Sequence, residues 1–222
     1  FACEKKQAPQ AVADSLSLEL DARRVLLPNG WSLSPAGKIM PLGDFPMNLV
    51  VSPSGKFMAV TNNGQSRQTI QLIDPASEEI LDEVEISKSW YGLTFNSDGS
   101  KLYASGGNDN MIVIYNTSQS KLQKIDSIVI GKPWPVKISL TGVALDDTGG
   151  KLFVTTKENN SLYTITLGTK KFSQLSLGHE AYACILSPDR KHLYVSLWGG
   201  DKVAVVDTDK GAVVATVDVG SN

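Results

Sequence analysis

Leu93-Thr-Phe-Asn-Ser-Asp-Gly-Ser-Lys-Leu-Tyr-Ala-Ser105 decides how this chain folds. A short apolar run enters a Ser-Asp-Gly turn, where Gly supplies positive φ and Asp or Ser bonds the neighbouring backbone; an aliphatic-aromatic run then ends in Ser. The same order recurs in Leu49-Val-Val-Ser-Pro-Ser-Gly-Lys-Phe-Met-Ala-Val-Thr61, in Val143-Ala-Leu-Asp-Asp-Thr-Gly-Gly-Lys-Leu-Phe-Val-Thr155 and in Cys184-Ile-Leu-Ser-Pro-Asp-Arg-Lys-His-Leu-Tyr-Val-Ser196. The equivalent positions Met58, Leu102, Leu152 and Leu193 are separated in turn by 44, 50 and 41 residues.

That period is the length of one four-stranded propeller blade. Each repeat reads as four short strands of period-2 alternation, punctuated by Gly, Pro, Asn and Asp. The spacing predicts strands over 47–52, 57–62, 69–74 and 80–86, then 91–96, 101–105, 111–116 and 124–130. The third repeat gives 140–145, 151–156, 162–166 and 172–177, after an insertion at Lys132–Ser139; the fourth gives 182–187, 192–197, 202–207 and 213–219. The fold class is therefore all-β, a β-propeller with blades at about 41–86, 87–130, 131–177 and 178–220, and the turns Asn96-Ser-Asp-Gly99 and Asp146-Asp147 lack the carboxylate spacing of a calcium loop.

The formal net charge of the 222 residues is -2 with both signs scattered, so neither a basic stripe for nucleic acid nor an acidic tail is present. No run approaches the roughly 18 apolar residues of a membrane helix. Phe1-Ala2-Cys3 followed by a polar stretch to about Leu20 resembles the end of a bacterial lipoprotein signal, which implies an upstream leader, acylation of Cys3 and a tether over residues 1–20. Cys184 lies in an apolar strand and reads as a small core residue, so the two cysteines make no disulfide.

Ala59-Val-Thr-Asn62, Leu102-Tyr-Ala-Ser105, Leu152-Phe-Val-Thr155 and Leu193-Tyr-Val-Ser196, together with the outer-strand pattern over 203–220, resemble the YVTN-type β-propeller repeats of surface-layer and related bacterial envelope proteins. The likeness runs from about Leu42 to the end. Leu26-Leu-Pro-Asn-Gly-Trp-Ser-Leu-Ser-Pro-Ala-Gly37 looks like the lead-in to envelope propellers that in some relatives precede an alkaline-phosphatase-like phosphoesterase domain. The resemblance implies a seven-bladed ring, of which residues 21–222 would supply about four and a half blades. Gly37-Lys-Ile-Met-Pro-Leu-Gly43 matches the repeat ends 128–131 and 217–220, and is expected to be an orphan outer strand, with Ala22–Leu27 before it and their inner partners beyond Asn222.

In a propeller, the connections leading into each innermost strand and those between second and third strands emerge on one face, around the central channel. The first set offers Lys88 and Trp90, Lys132 and Trp134, and His179 and Tyr182, three pairings of a cation with an aromatic. The second offers Asn62 and Asn63, Asn108 and Asp109, Asn159, and Trp198. Aromatic faces with amide and ammonium donors suit sugars, acidic peptides or phosphorylated small molecules. Trp90 and Trp134, with Lys88 and Lys132, are expected to converge at one end of the channel. No nucleophile elbow, phosphate loop, dinucleotide fingerprint or Cys-x-x-Cys pair occurs, and His192 sits at a strand start, so no cofactor and no histidine-built metal site is expected.

Three functions stay open. The first is a non-catalytic propeller of the bacterial cell surface or periplasm, lipid-anchored through Cys3, that binds a small molecule, a glycan or an envelope protein. The second is a lactonase-like hydrolase, as in some seven-bladed relatives, drawing on channel acids such as Asp44, Asp109, Glu158, Glu180 and Asp201. The third is the recognition half of a larger phosphoesterase whose remaining chain would be its partner. A shared fold does not separate them.

Overall fold

A computed structural model of the chain describes residues 21–34 and 37–220; the expected tether and Cys3 lie outside these residues. The chain divides into two units after Pro41. In the first unit, β1 (Val25–Leu26) and β2 (Ser32–Leu33) form a small antiparallel hairpin. Its turn is closed by the Gly30 N–H on the Leu27 carbonyl, and Asn29 Oδ1 accepts from the Trp31 N–H. The orphan outer strand does not form: Gly37–Gly43 has no strand structure and Ala22–Leu27 supplies only β1. A strand is held by the backbone groups of a neighbour, and this segment is paired in no sheet.

The second unit carries the repeats. The first blade is β3 (Pro46–Val51), β4 (Met58–Asn62), β5 (Thr69–Asp74) and β6 (Glu79–Glu85); the second is β7 (Leu93–Phe95), β8 (Lys101–Ser105), β9 (Met111–Asn116) and β10 (Gln123–Val129). The third is β11 (Leu140–Asp146), β12 (Lys151–Thr156), β13 (Ser161–Thr166) and β14 (Phe172–Ser176), and the fourth β15 (Glu180–Leu186), β16 (His192–Trp198), β17 (Lys202–Asp207) and β18 (Ala212–Asp218). Each is an antiparallel meander in chain order, and the innermost strands β3, β7, β11 and β15 stand side by side around a channel, a β-propeller-like ring arrangement. The inner turns close as the sequence predicts, with Gly55, Gly99, Gly150 and Arg190 at positive φ, each N–H bonded to the carbonyl three residues back.

Period-2 alternation sends successive side chains of each second strand to opposite neighbours. Leu102, Leu152 and Leu193 face the preceding blade and are fully buried in three separate interblade cores. Their equivalent Met58 is only half-buried, against the expectation that all four are buried alike, although Val60 and Ile73 on the same side of its sheet are each 1% exposed. At the other end the forward side of the fourth blade is open. Ala59, Tyr103 and Phe153 are 0%, 4% and 1% exposed under the following blade, whereas their equivalent Tyr194 is 41% exposed.

In the second and third blades the Ser or Thr near the end of the second strand is a latch between blades. Ser105 Oγ donates to the Leu140 carbonyl at 2.8 Å, and Thr155 Oγ1 to the Tyr182 carbonyl at 2.9 Å. Ser196 turns back onto Ala183 in its own blade. In the first blade the Tyr91 carbonyl is taken by Asn48 Nδ2 at 2.7 Å, and the buried Thr61 hydroxyl has no partner. Gly92 and Gly142 allow these inner strands to meet: a Cβ at either would lie 2.2 Å from the Thr141 carbonyl oxygen or 2.7 Å from that of Tyr182.

Candidate binding face

The connections leading into β7, β11 and β15 and those after β4, β8, β12 and β16 gather around the channel. The Gly107–Asp109 turn organises one side of this face. Asn110, left-handed at φ 54° and buried, donates from Nδ2 to the Lys132 and Val136 carbonyls and accepts the Ser139 N–H. It thereby pins the Lys132–Ser139 insertion against the turn. Asn108 Oδ1 accepts from Ser139 Oγ, its carbonyl accepts the Trp134 N–H, and Asp109 accepts from Ser87 Oγ at 2.5 Å.

Trp90 and Trp134 both adjoin this turn, Trp90 beside Gly107 and Trp134 through its backbone, but no ring contact joins them. The cations over aromatic rings are not Lys88 and Lys132, both of which are exposed. Lys137 Nζ lies 5.9 Å from the Trp134 ring centre, because the turn closed by Val136 on Pro133 folds the insertion back on itself. Lys157 Nζ lies 5.1 Å over the ring of Trp198. His179 is exposed and lies against Gly200, where a Cβ would come within 2.8 Å of its ring.

Three of the asparagines are tied to neighbouring side chains, although Asn62 Oδ1 and Asn63 Oδ1 stay unpartnered. Asn62 is fully buried and donates to Thr69 Oγ1; Asn63 Nδ2 reaches Met47 Sδ; Asn159 bridges Thr156 and the Tyr163 hydroxyl. Asn in a tight connection serves its own loop first, so these positions offer little to a ligand.

The structure instead assembles an aromatic cluster. Tyr182 stands between Tyr91, 5.4 Å away at 41°, and Trp198, 5.2 Å away and edge-on at 74°. Tyr91 and Tyr182 come from the second and fourth blades and meet because both sit at the irregular start of an innermost strand. Burial raises the Tyr182 hydroxyl above the ordinary phenol range, and the Tyr91 phenol adds to the shift. Tyr91 is hidden in the sequence because it reads as the first residue of a strand; the pairing needs the ring geometry to be known.

Three cavities run along this face. One of about 130 Å³ is lined by Trp90, Asn108, Ser139, Lys157 and Glu158; it shares Glu158 with one of about 480 Å³ that also takes in Asn160, His179, Glu180 and Trp198. The latter shares Trp198 with a third of about 750 Å³, bounded by Tyr182, Asp201 and Lys202. Beneath Tyr91, a mostly apolar cavity of about 370 Å³ follows the innermost strands into the channel. Among the described residues, no three His, Cys, Asp or Glu side chains converge as a metal site, and Cys184, whose thiol burial pushes up to about 12, packs against the third interblade core.

No family model matches the sequence, and no curated protein matches it. Among solved structures the chain is similar to a chain of Kuenenia stuttgartiensis hydrazine synthase, with a TM-score of 0.63 at 18% identity over 84% of this chain. The match spans 53% of that chain, about half its length. At this identity the likeness carries the propeller-like fold and nothing about chemistry.

Proposed function

We propose that the chain is a non-catalytic binding propeller of the bacterial cell envelope, exported and lipid-anchored through Cys3, with its ligand site on the channel face. The observation that carries the binding reading is the aromatic cluster of half-buried Tyr182 and exposed Trp198 bordered by cavities of about 480 and 750 Å³, the combination of apolar platform and convergent polar groups typical of ligand sites. The envelope setting rests on the YVTN-type repeats and the Ala2-Cys3 junction. A glycan, peptide and metabolite screen tests the first part: hits should be lost in Trp198→Ala, and a screen whose hits are indifferent to it would move the site elsewhere. Mass spectrometry of the membrane fraction tests the second, with a diacylated Cys3 expected and a soluble, unmodified chain against it.

We further propose that the four blades belong to a larger ring, seven-bladed by the resemblance. The exposure of Ile185 and Tyr194 on the fourth blade supports it, since the equivalent Ala144 and Phe153 are covered where the third blade meets the fourth. A hydrolase of the lactonase kind is the second reading, favoured by His179, Glu180 and Glu158 around one cavity. It predicts lactone turnover that disappears in His179→Asn, and binding without turnover decides for the first reading.

A further inference from the structure

We infer that the subsite around Trp198 recognises an organic ammonium group. The inference rests on the reading of this face as a binding face and names the chemistry of its ligand. Trp198 is 54% exposed, and Tyr182 fixes its ring edge-on at 5.2 Å. The ring already holds a cation, the Lys157 ammonium 5.1 Å from its centre, so its orientation and surroundings suit a positive charge over an indole face. Glu158, Glu180 and Asp201 line the two cavities that meet at Trp198. None of the three makes a side-chain hydrogen bond or ion pair with another described residue, whereas the neighbouring Lys202 is neutralised by Asp218 at 2.7 Å.

Charge decides between the ligand classes. With Lys202 paired, three unpaired carboxylates border these cavities against one ammonium, Lys157, and the exposed His179, and the subsite carries formal negative charge. Phosphorylated and acidic ligands are therefore repelled, and a neutral sugar would stack on Trp198 without using the unpaired carboxylates. An alkylammonium uses both features, its methyl or methylene groups against the rings and its charge toward the acids. Lys157 then acts as an internal competitor for the same ring.

Nuclear magnetic resonance of the chain, following the indole N–H of Trp198, tests this with choline, its uncharged isostere 3,3-dimethylbutan-1-ol, methyl glucoside and inorganic phosphate. Choline should shift the Trp198 signal saturably and the isostere should bind roughly tenfold more weakly; calorimetry, which does not need the indole, should find no choline binding in Trp198→Ala and weakened binding in the folded control Trp198→Phe. Glu158→Gln and Glu180→Gln should each weaken choline about threefold, and Lys157→Met should tighten it about threefold. Equal binding of choline and the isostere, or saturable binding of methyl glucoside or phosphate at Trp198 in place of choline, overturns the ammonium inference and leaves the binding face standing. Failure of all four probes to move Trp198 overturns the inference, and only the broader ligand screen then bears on the face itself.

Discussion

Leu152 and Met58 occupy one position of the repeat and differ in side chain and in burial. Leu152 is completely buried among Tyr103, Ile112 and Val154 of the core between the second and third blades. Truncation to Ala should cost about 2–5 kcal/mol, the range for a large apolar side chain in a core that cannot collapse around the cavity. Met58→Ala should cost less than half as much, and urea unfolding of the two variants measures the difference. Tyr115 sets a second expectation. Burial alone pushes its phenol up to about 12, so the folded state favours the neutral form. The stabilisation is complete below the ordinary phenol pKa near 10 and is lost as pH rises from there through about 12. Urea midpoints should therefore fall above pH 10, with Tyr103 and Tyr182 contributing in the same direction. Tyr115→Phe should flatten that fall while leaving stability at pH 7 little changed.

At the scale of the element, the repeat's final Thr or Ser shows what a sequence can and cannot display. That each second strand ends in Thr61, Ser105, Thr155 or Ser196 is plain from the aligned repeats, and strand positions follow from the same alternation to within a residue or two at most ends. The purpose of the hydroxyl is not visible, because its partner is a carbonyl on the next blade some 27–35 residues away. Thr155 accepts the Gly142 N–H at 2.8 Å, contacts the Thr141 hydroxyl and donates to Tyr182. Thr155→Val keeps the shape and leaves these buried groups unpaired, which should cost about 1–3 kcal/mol. Ser196→Ala, where the hydroxyl only turns back within its blade, should cost clearly less in the same unfolding assay. The candidate site was legible to the same degree. The sequence placed Tyr182 and Trp198 on the channel face, but it paired cations with aromatics by nearness in the chain, and the Pro133–Val136 turn and blade rotation substituted Lys137 and Lys157. The outer strand expected over Gly37–Gly43 failed for a related reason: its pattern fits a strand, but pattern does not supply a neighbour.

The whole array follows one rule, that every interblade surface consists of a face pointing backward and a face pointing forward. Three such surfaces are buried within Leu42–Val219, and the forward face of the fourth blade is left over. The forward face of the fourth blade presents Ile185 at 67%, Tyr194 at 41% and Val217 at 52% exposure, and register places Ile185 opposite Tyr194 and Tyr194 opposite Val205 on one side of the sheet. Apolar groups contiguous on an open sheet favour covering by another surface. Substitution at this face and at its buried equivalent should therefore have opposite consequences. Phe153→Lys places a charge at 1% exposure with no partner and should prevent cooperative folding, since an unpaired buried ammonium costs several kcal/mol. Tyr194→Lys, combined with Ile185→Lys, should change the stability of the chain by no more than about 0.5 kcal/mol while reducing its self-association and its binding of apolar dyes. In a longer chain whose further blades close the ring, the same pair should behave like Phe153→Lys. Circular dichroism melts and sedimentation of both chains make the comparison, and equal tolerance of Tyr194→Lys in the short and the long chain would mean that no blade covers this face.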